Sequence, residues 1–170
     1  MSFLSWRDEY LVDIAQIDTE HQYLFKLIND FHDEHARGGK SQDVLQVLNR
    51  LVAYAEEHFQ HEEALMQSIG YPRLERQQDL HEKLFSSIFM LNEKLSQSSA
   101  KVDSETLRFL KDWLVEHIVK EDTDIGDFMK RQAVQNEKAI DAPNEEPSSE
   151  KSPIKAGDAE RAGSKKPAAK

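Results

Sequence analysis

The stretch YAEEHFQHEEALM, residues 54–66, decides the fold that we expect for this chain. His58 and Glu62 stand four residues apart within it. Because a helix turns by about 100° per residue, both side chains point to nearly the same face. Apolar residues repeat on that face at steps of three and four: Leu45, Leu48, Val52, Ala55, Leu65 and Met66. The pattern predicts an amphipathic helix whose imidazole and carboxylate face an apolar core.

A buried imidazole and carboxylate have two ordinary explanations. Burial of a polar group without a partner costs several kcal/mol, and a bound metal ion removes that cost. For one isolated pair, the alternative is a histidine and a glutamate that bond to each other at a helix surface. The other helices must decide between a metal site and a simple polar pair.

Three more segments carry a histidine on an apolar stripe. We expect four helices in all: from Asp18 or Thr19 to Arg37, from Ser41 to about Ser68, from about Leu74 to Gln97, and from a cap at Asp103 to about residue 130. Their inward histidines are His21, His58, His81 and His117. Short polar connections predict an all-α, antiparallel up-and-down four-helix bundle, a fold in which facing side chains build metal sites.

The four histidines are expected at one end of this bundle. His21 lies near the start of the first helix, and His58 lies about two thirds along the second, which runs back toward that start. His81 comes early in the third helix and His117 in the second half of the fourth, so they reach the same level. Such a cluster with Glu62 needs a cation, and iron, manganese, copper, cobalt and zinc all accept these ligands. Two ions that share carboxylates fit the number of ligands better than one.

Three other histidines are expected outside the cluster. His32 and His35 lie about 16–21 Å along the first helix from His21, at 1.5 Å per residue. His61 is next to Glu62 and off the face of His58. We expect all three to be surface or helix-end groups.

The two ends of the chain differ from the bundle. Residues 1–17 carry aromatic and aliphatic side chains without a sustained helical period, which predicts an extended N-terminal arm laid over the core. Residues 131–170 contain four prolines and almost no large apolar residue, so we expect a disordered C-terminal tail. The predicted division is a bundle domain at 1–130 and a tail at 131–170.

Charge and composition argue against several classes of partner. The formal net charge is −10, and the tail holds eight basic and seven acidic residues, which leaves −11 on residues 1–130. Nucleic acid and anionic membrane surfaces need a positive face, so neither is an expected partner. The chain has no cysteine, which excludes disulfides and thiolate ligands. We see no secretory signal and no run of roughly 18 apolar residues, and we expect a soluble cytoplasmic protein. The sequence does not indicate an oligomeric state.

Several spaced motifs resemble those of the hemerythrins, specifically the single-domain bacterial members, over residues 6 to about 129. These motifs are Trp6 with Tyr10 and Val12, IDTEH at 17–21, HFQHEE at 58–63 with Leu65 and Met66, GYP at 70–72, His81, and WLVEHI at 113–118 with Asp122. The resemblance implies a pair of non-haem irons, joined by an oxo or hydroxo bridge, that binds molecular oxygen reversibly.

The resemblance also implies roles for individual residues. Carried over by position, the ligands of the iron that binds oxygen are His21 and His58, those of the other iron are His81 and His117, and the bridging carboxylates are Glu62 and Asp122. By the same resemblance, Trp113, Leu114 and Ile118 help to line the oxygen pocket.

Two positions keep alternatives open. Asp122 lies five residues after His117, which is about 140° round a regular helix, whereas Glu121 at four residues is better aligned. Gln77 stands where the family usually has a third histidine on the second iron, and it either ligates weakly or leaves the place to water. An open position would favour a diiron peroxidase or oxidase over an oxygen carrier. A sensor or interaction module that uses the tail is the third hypothesis.

Overall fold

The computed structural model describes residues 2–38, 41–97 and 104–140. The helices in this part are a short 3-10 turn at Asp8–Tyr10, Ala15–Ala36 (α1), Ser41–Ser68 (α2), Leu74–Gln97 (α3), Ser104–His117 (α4), a π turn at Ile118–Asp122, and Thr123–Ile140 (α5). Helix α1 packs on α2 and α4, and α2 packs on α3. The predicted all-α four-helix bundle is confirmed, with α4, the π turn and α5 forming its fourth rod.

The helix boundaries follow the sequence closely except at the start of α1 and at the end of the fourth helix. Helices α2 and α3 begin and end as predicted, whereas α1 begins at Ala15 and not at Asp18 or Thr19. The prediction was wrong because the Asp18 carboxylate accepts a hydrogen bond from the backbone N–H of Val12 at 2.7 Å, which ties the arm to the helix. The expected linker at 98–102 and the cap at Asp103 lie outside the described residues.

A glycine closes α2 and sets the turn to α3. Gly70 has φ +64°, a conformation that glycine adopts without steric cost. The N–H of Tyr71 then donates to the carbonyl of Met66 at 2.9 Å, and the N–H of Gly70 donates to that of Gln67 at 3.2 Å. These two hydrogen bonds satisfy carbonyl groups in the last turn of α2, and the chain reverses its direction there.

The fourth rod changes register at the π turn. There the backbone N–H of Thr123 donates to the carbonyl of Ile118, five residues back, whereas a regular α-helix closes at four. The extra residue in this turn rotates everything after it relative to α4. Asp122, the last residue of the turn, is fully buried as a result.

Within the described ranges, the core consists of two apolar compartments. The larger includes residues from α1, α2, α3 and α4, such as Phe31, Leu48, Leu84 and Leu114. The smaller is formed by Met66, Tyr71 and Ile125, with Ile14, Ile69, Leu74 and Phe128 packed against it. Along α2, His58 and Glu62 lie between Ala55 of the larger compartment and Met66 of the smaller one. Polar residues therefore lie where the two compartments meet.

The N-terminal arm covers the bundle beside the π turn, as its apolar residues predicted. Tyr10 and Val12 are buried, and the 3-10 turn contacts the π turn. The arm crosses α5 so closely that a Cβ atom at Gly126 would stand 1.8 Å from the carbonyl oxygen of Val12. Only glycine fits at this crossing.

Helix α5 continues to Ile140, so that residues 131–140, which we assigned to the tail, are helical. Most side chains at 131–138 are exposed, and residues such as Ala133, Glu137 and Lys138 favour helix without packing. Residues 141–170 lie outside the described part, and a disordered tail there stays a prediction. Among the described residues, none of the helices combines the length and the hydrophobicity that a membrane span requires.

Candidate metal centre

Each of the four rods contributes one buried histidine to a single cluster. His21, His58, His81 and His117 are 0, 2, 2 and 6% exposed. Glu62 on α2 and Asp122 in the π turn are both 0% exposed and lie among them. All six residues that the sequence nominated as metal ligands are thus brought together.

The carboxylate of Glu62 lies between two groups of histidines. Its Oε1 is 3.5 Å from His21 Nε2 and 3.6 Å from His58 Nε2. Its Oε2 is 3.3 Å from His81 Nε2. The two oxygens of one side chain therefore face opposite sides of the cluster.

Asp122 repeats this arrangement. Its Oδ2 is 3.5 Å from His21 Nε2, and its Oδ1 is 3.2 Å from His117 Nε2. The cluster therefore has two halves, each with two imidazole nitrogens and one oxygen from each carboxylate. The first half contains His21, His58, Glu62 Oε1 and Asp122 Oδ2. The second half contains His81, His117, Glu62 Oε2 and Asp122 Oδ1.

The donor atoms fit a pair of cations. Two ligands at about 2.1 Å from one ion, at 90–110° to each other, are about 3.0–3.4 Å apart. The separation of His81 Nε2 from His117 Nε2 is 3.2 Å. Donor atoms of Glu62, His81, His117 and Asp122 lie within 4.8 Å of one another, as do those of His21, His58 and Glu62.

Buried polar atoms without hydrogen-bond partners also indicate a metal site. Both ring nitrogens of His21, both oxygens of Glu62 and Oδ2 of Asp122 are buried without a hydrogen-bond partner among the described residues. Buried polar atoms are normally satisfied, and unmet ones carry a cost of about 1–3 kcal/mol each. Coordination to metal would remove that cost for the Nε2 and carboxylate atoms together.

The π turn explains why Asp122 and not Glu121 belongs to the cluster. With the wider turn, the fifth residue after His117 returns to the face of His117. Glu121 instead points outward and forms an ion pair with Arg76 at 2.6 Å. The helical periodicity that favoured Glu121 assumed a regular α-helix, which the chain does not form here.

The carboxylates of the cluster raise the pKa of one of its histidines. Burial alone would lower the pKa of His21, but the carboxylates of Asp122 and Glu62 outweigh it and raise that pKa to about 9. Burial raises the pKa of Glu62, but His58, His21 and His81 outweigh it and hold that pKa well below its ordinary value. The raised pKa of His21 favours its protonated form, so metal binding is expected to release protons.

Two glutamates that the sequence analysis missed orient one histidine in each half. Glu20 Oε2 accepts a hydrogen bond from His58 Nδ1 at 2.9 Å. Glu63 Oε1 accepts one from His81 Nδ1 at 2.9 Å. With Nδ1 bonded in this way, Nε2 of each ring faces the cluster. A metal-binding histidine usually makes such a hydrogen bond with the ring nitrogen that does not bind the metal. The adjacency of the two glutamates to His21 and Glu62 was the available signal, but only the packing of α1 on α2 and of α2 on α3 brings each glutamate to its histidine.

The three histidines predicted to lie outside the cluster do so. His61 donates from Nδ1 to Glu20 Oε1 at 2.8 Å, and its side chain is 41% exposed. His32 stacks on Phe3 with ring centroids 4.3 Å apart. His35 lies in the last turn of α1.

Gln77 lies beside the second half. The residue is buried on α3, one turn before His81, and its Nε2 donates to Asp122 Oδ1 at 3.2 Å. The amide oxygen has no hydrogen-bond partner among the described residues. In this arrangement Gln77 contacts a carboxylate of the cluster through its nitrogen.

Apolar and aromatic side chains enclose the cluster on the side of the larger compartment. The ring of Phe59 stacks on His81 at 4.2 Å between centroids, and that of Trp113 stacks on His117 at 5.1 Å. Trp113 and Leu114 also line an apolar cavity of about 10 Å³. Ile118 is fully buried in the larger compartment but does not line this cavity.

Comparison with known proteins identifies similar chains. The family model of the hemerythrin HHE cation binding domain matches residues 12–128. A bacteriohemerythrin of Methylococcus capsulatus is 33% identical over 123 residues, which are 72% of this chain and 93% of that protein. A myohemerythrin of Theromyzon tessulatum is 34% identical over 113 residues, or 66% of this chain and 82% of its own. A crystal structure of wild-type hemerythrin is similar with a TM-score of 0.70 and 31% identity, covering 74% of this chain and 97% of that one.

Proposed function

This chain belongs to the hemerythrin HHE cation-binding family, and from this premise we propose that it binds molecular oxygen reversibly at a pair of non-haem irons. The proposed ligands are His21 and His58 for one iron, His81 and His117 for the other, and Glu62 and Asp122 as bridges. In this proposal the protein is an oxygen carrier or store and not an enzyme. A cytoplasmic location stays a prediction from the sequence.

The two-sided arrangement of the carboxylates carries the proposal. Each of Glu62 and Asp122 presents one oxygen to the first half and the other to the second, at 3.2–3.6 Å from imidazole nitrogens. A single ion would use only one side of this arrangement. Two ions use both, and imidazole with carboxylate suits iron among the transition metals.

Iron bound there would supply the electrons and the open coordination position that reversible oxygen binding needs. The residues of the chain hold and orient it. Glu20 and Glu63 fix the rings of His58 and His81 through their Nδ1 atoms. Such hydrogen bonds make each imidazole a stronger donor and keep its Nε2 directed into the cluster.

The apolar enclosure contributes a second requirement, the exclusion of water. The cavity beside the cluster is lined by aliphatic and aromatic side chains that include Leu24, Phe59, Trp113 and Leu114. Oxygen is apolar and small, whereas water and protons are poorly solvated among such groups. The enclosure therefore favours release of the bound gas as oxygen over its reduction.

A second candidate function, diiron peroxidase or oxidase, is favoured by one observation. The amide of Gln77 is hydrogen-bonded to Asp122, which leaves the second half with two nitrogen ligands. A position left to an exchangeable ligand there would admit redox chemistry. Turnover of hydrogen peroxide with an added reductant, abolished by removal of the metal, would distinguish this function from oxygen carriage.

The first test is spectroscopic. The iron-loaded protein is reduced without oxygen, exposed to air and then purged while its absorption spectrum is recorded. We expect two irons per chain and a charge-transfer band that appears in air and disappears on purging. Conversion to a stable oxidised spectrum would favour the redox alternative, and a protein that binds no iron would refute the proposal.

A pair of variants tests the ligands themselves. His58→Ala removes one of two nitrogen donors from the first half and should lower the bound iron substantially. His32→Ala on α1 is the matched control, because its ring stacks on Phe3 and lies outside the cluster. Full iron content in His58→Ala would contradict the ligand assignment.

A further inference from the structure

The carboxylate of Glu20 is hydrogen-bonded at both of its oxygens. Its Oε2 accepts the bond from His58 Nδ1 at 2.9 Å that orients this ring toward the cluster. Its Oε1 accepts bonds from His61 Nδ1 at 2.8 Å and from Gln16 Nε2 at 2.9 Å. An ionised carboxylate only accepts hydrogen bonds, so all three partners donate to it. Glu20 of α1 therefore bridges two histidines of α2.

His61 is the partner that stops this carboxylate from turning relative to α2. His58 and His61 are three residues apart on α2, so their side chains are neighbours on the helix surface. With one oxygen bonded to each ring, the plane of the Glu20 carboxylate is fixed with respect to α2. Gln16 lies one turn before Glu20 on α1, and a bond within α1 does not fix Glu20 relative to α2. Without His61, the bond to His58 alone would tie Glu20 to α2 in the part of the chain that the structure describes.

The second half has a similar but weaker arrangement. Glu63 Oε1 accepts from His81 Nδ1 at 2.9 Å, and its Oε2 accepts from Gln78 Nε2 at 3.1 Å. The side chain of Glu63 is 28% exposed, whereas that of Glu20 is 11% exposed. Water replaces a lost donor more readily at an exposed carboxylate, so the second donor contributes less there. A further donor to the glutamate therefore has its larger effect in the first half.

We infer that His61 is a positioning residue of the first half: by donating to Glu20 Oε1 it fixes the orientation of His58 and strengthens the binding of the metal ion there. This inference rests on the proposed metal pair. The ring of His61 stays outside the cluster, with its side chain 41% exposed, and acts through Glu20.

Two substitutions of similar shape separate the hydrogen bond of His61 from the bulk of its ring. Asparagine carries an NH₂ group on Cγ, the atom that carries Nδ1 in histidine, so His61→Asn keeps a donor for Glu20. Leucine is branched at the same atom and has no donor. Because a net hydrogen bond changes an equilibrium constant by about three- to tenfold, His61→Leu should weaken one of the two bound metal ions by that factor. His61→Asn should retain the affinity of wild type within about twofold.

Zinc is the probe for this test, because it accepts imidazole and carboxylate ligands and has no redox chemistry. Zinc affinity is measured by competition with a chelator for wild type, His61→Leu and His61→Asn, with a circular dichroism spectrum of each. In the zinc-loaded proteins, NMR measures the hydrogen exchange of the Nδ1–H groups of His58 and His81. His61→Leu should speed exchange at His58 by about three- to tenfold and leave His81 unchanged. His32→Leu, the same substitution on α1 outside the cluster, is the matched control and should change neither rate.

A second background tests whether His61 acts through Glu20. Loss of the hydrogen-bond partner of a metal-binding histidine usually weakens metal binding by about 10–100-fold, which is the effect expected of Glu20→Ala. His61→Leu should add nothing in the Glu20→Ala background, because the group through which it acts is gone. An equal effect of His61→Leu with and without Glu20 would refute the inference.

Two bound zinc ions in wild type, a selective change at His58 in His61→Leu and its reversal in His61→Asn support the inference. Unchanged zinc affinity and His58 exchange in His61→Leu refute it and leave the proposed function standing. Equal changes at His58 and His81, or equal losses in His61→Leu and His61→Asn, do the same. A wild-type chain that binds neither zinc nor iron refutes both. If His61→Leu does not fold, His61→Ala takes its place, and wild-type zinc affinity in that variant overturns the inference.

Discussion

Replacement of Gly126 by alanine should destabilise the protein, against the usual preference of helices for alanine. Gly126 lies within α5, where Gly→Ala ordinarily stabilises by about 1 kcal/mol. Here the added Cβ would stand 1.8 Å from the carbonyl oxygen and 3.0 Å from the carbonyl carbon of Val12. Both are backbone atoms, so no side-chain rotation relieves the contact and the arm must move.

The cost can be worked from what holds the arm in place. Val12 is 1% exposed, and exposing a side chain of this size costs about 1.5–3 kcal/mol. Its N–H donates to the Asp18 carboxylate at 2.7 Å, and a hydrogen bond to a charged group contributes about 1.5–3 kcal/mol. After the gain in helix propensity, we expect a net loss of about 2–5 kcal/mol.

Urea unfolding of the metal-free protein at pH 7, followed by circular dichroism, measures this loss. Ala133→Gly, at an exposed position of α5, supplies the local value of helix propensity. In a protein that lacks residues 1–12 the contact is gone, so Gly126→Ala should there stabilise by about 1 kcal/mol. If Gly126→Ala is as stable as wild type in the full chain, the reasoning about the arm is refuted.

Asp122→Asn should reduce bound iron below two per chain, whereas Glu121→Gln should leave it unchanged, and equal iron contents would contradict the role given to the π turn. Burial raises the pKa of Glu20, but hydrogen bonds with His58 and other partners outweigh it and lower that pKa from 4.5 to about 2. The contribution of the ionised Glu20 carboxylate to the free energy of unfolding is therefore present above pH 4.5 and lost as the pH falls toward 2. The difference in that free energy between the metal-free wild type and Glu20→Gln should shrink over this interval. Burial and Asp124 raise the pKa of Tyr71 from 10.0 to about 12, so wild type should lose stability as the pH rises through that interval and Tyr71→Phe should lose less. Parallel pH profiles for variant and wild type would contradict either assignment.

Much of the fold was predictable because side-chain periodicity reports helices directly. The bounds of α2 and α3 followed from apolar stripes and from the turn at Gly70. The convergence of the four histidines followed from helix lengths and antiparallel order alone. These are properties of regular helices, which a linear sequence determines well.

The features that the sequence did not predict depend on irregular backbone or on contacts between residues far apart in the chain. Spacing favoured Glu121 because it assumes 3.6 residues per turn, and nothing in the side-chain pattern marks a turn closed at five. Asp122 was named only by family resemblance. Glu20 was missed because its partner His58 is 38 residues away, so the bond between them exists only once α1 packs on α2.

The meeting of two apolar compartments at a buried polar layer has a consequence for how the bundle unfolds. Apolar contacts couple neighbouring parts of a domain, but charged groups that lack a shared ion couple them less well. The smaller compartment around Tyr71 and Ile125 is a separate apolar cluster, so its side chains are coupled to those of the larger one across the polar layer. Amide hydrogens of α5 and of the turn at Gly70 should exchange by local opening in the metal-free protein, and only by global unfolding once metal links the four rods. Metal binding would then determine whether this chain behaves as two cooperative units or as one.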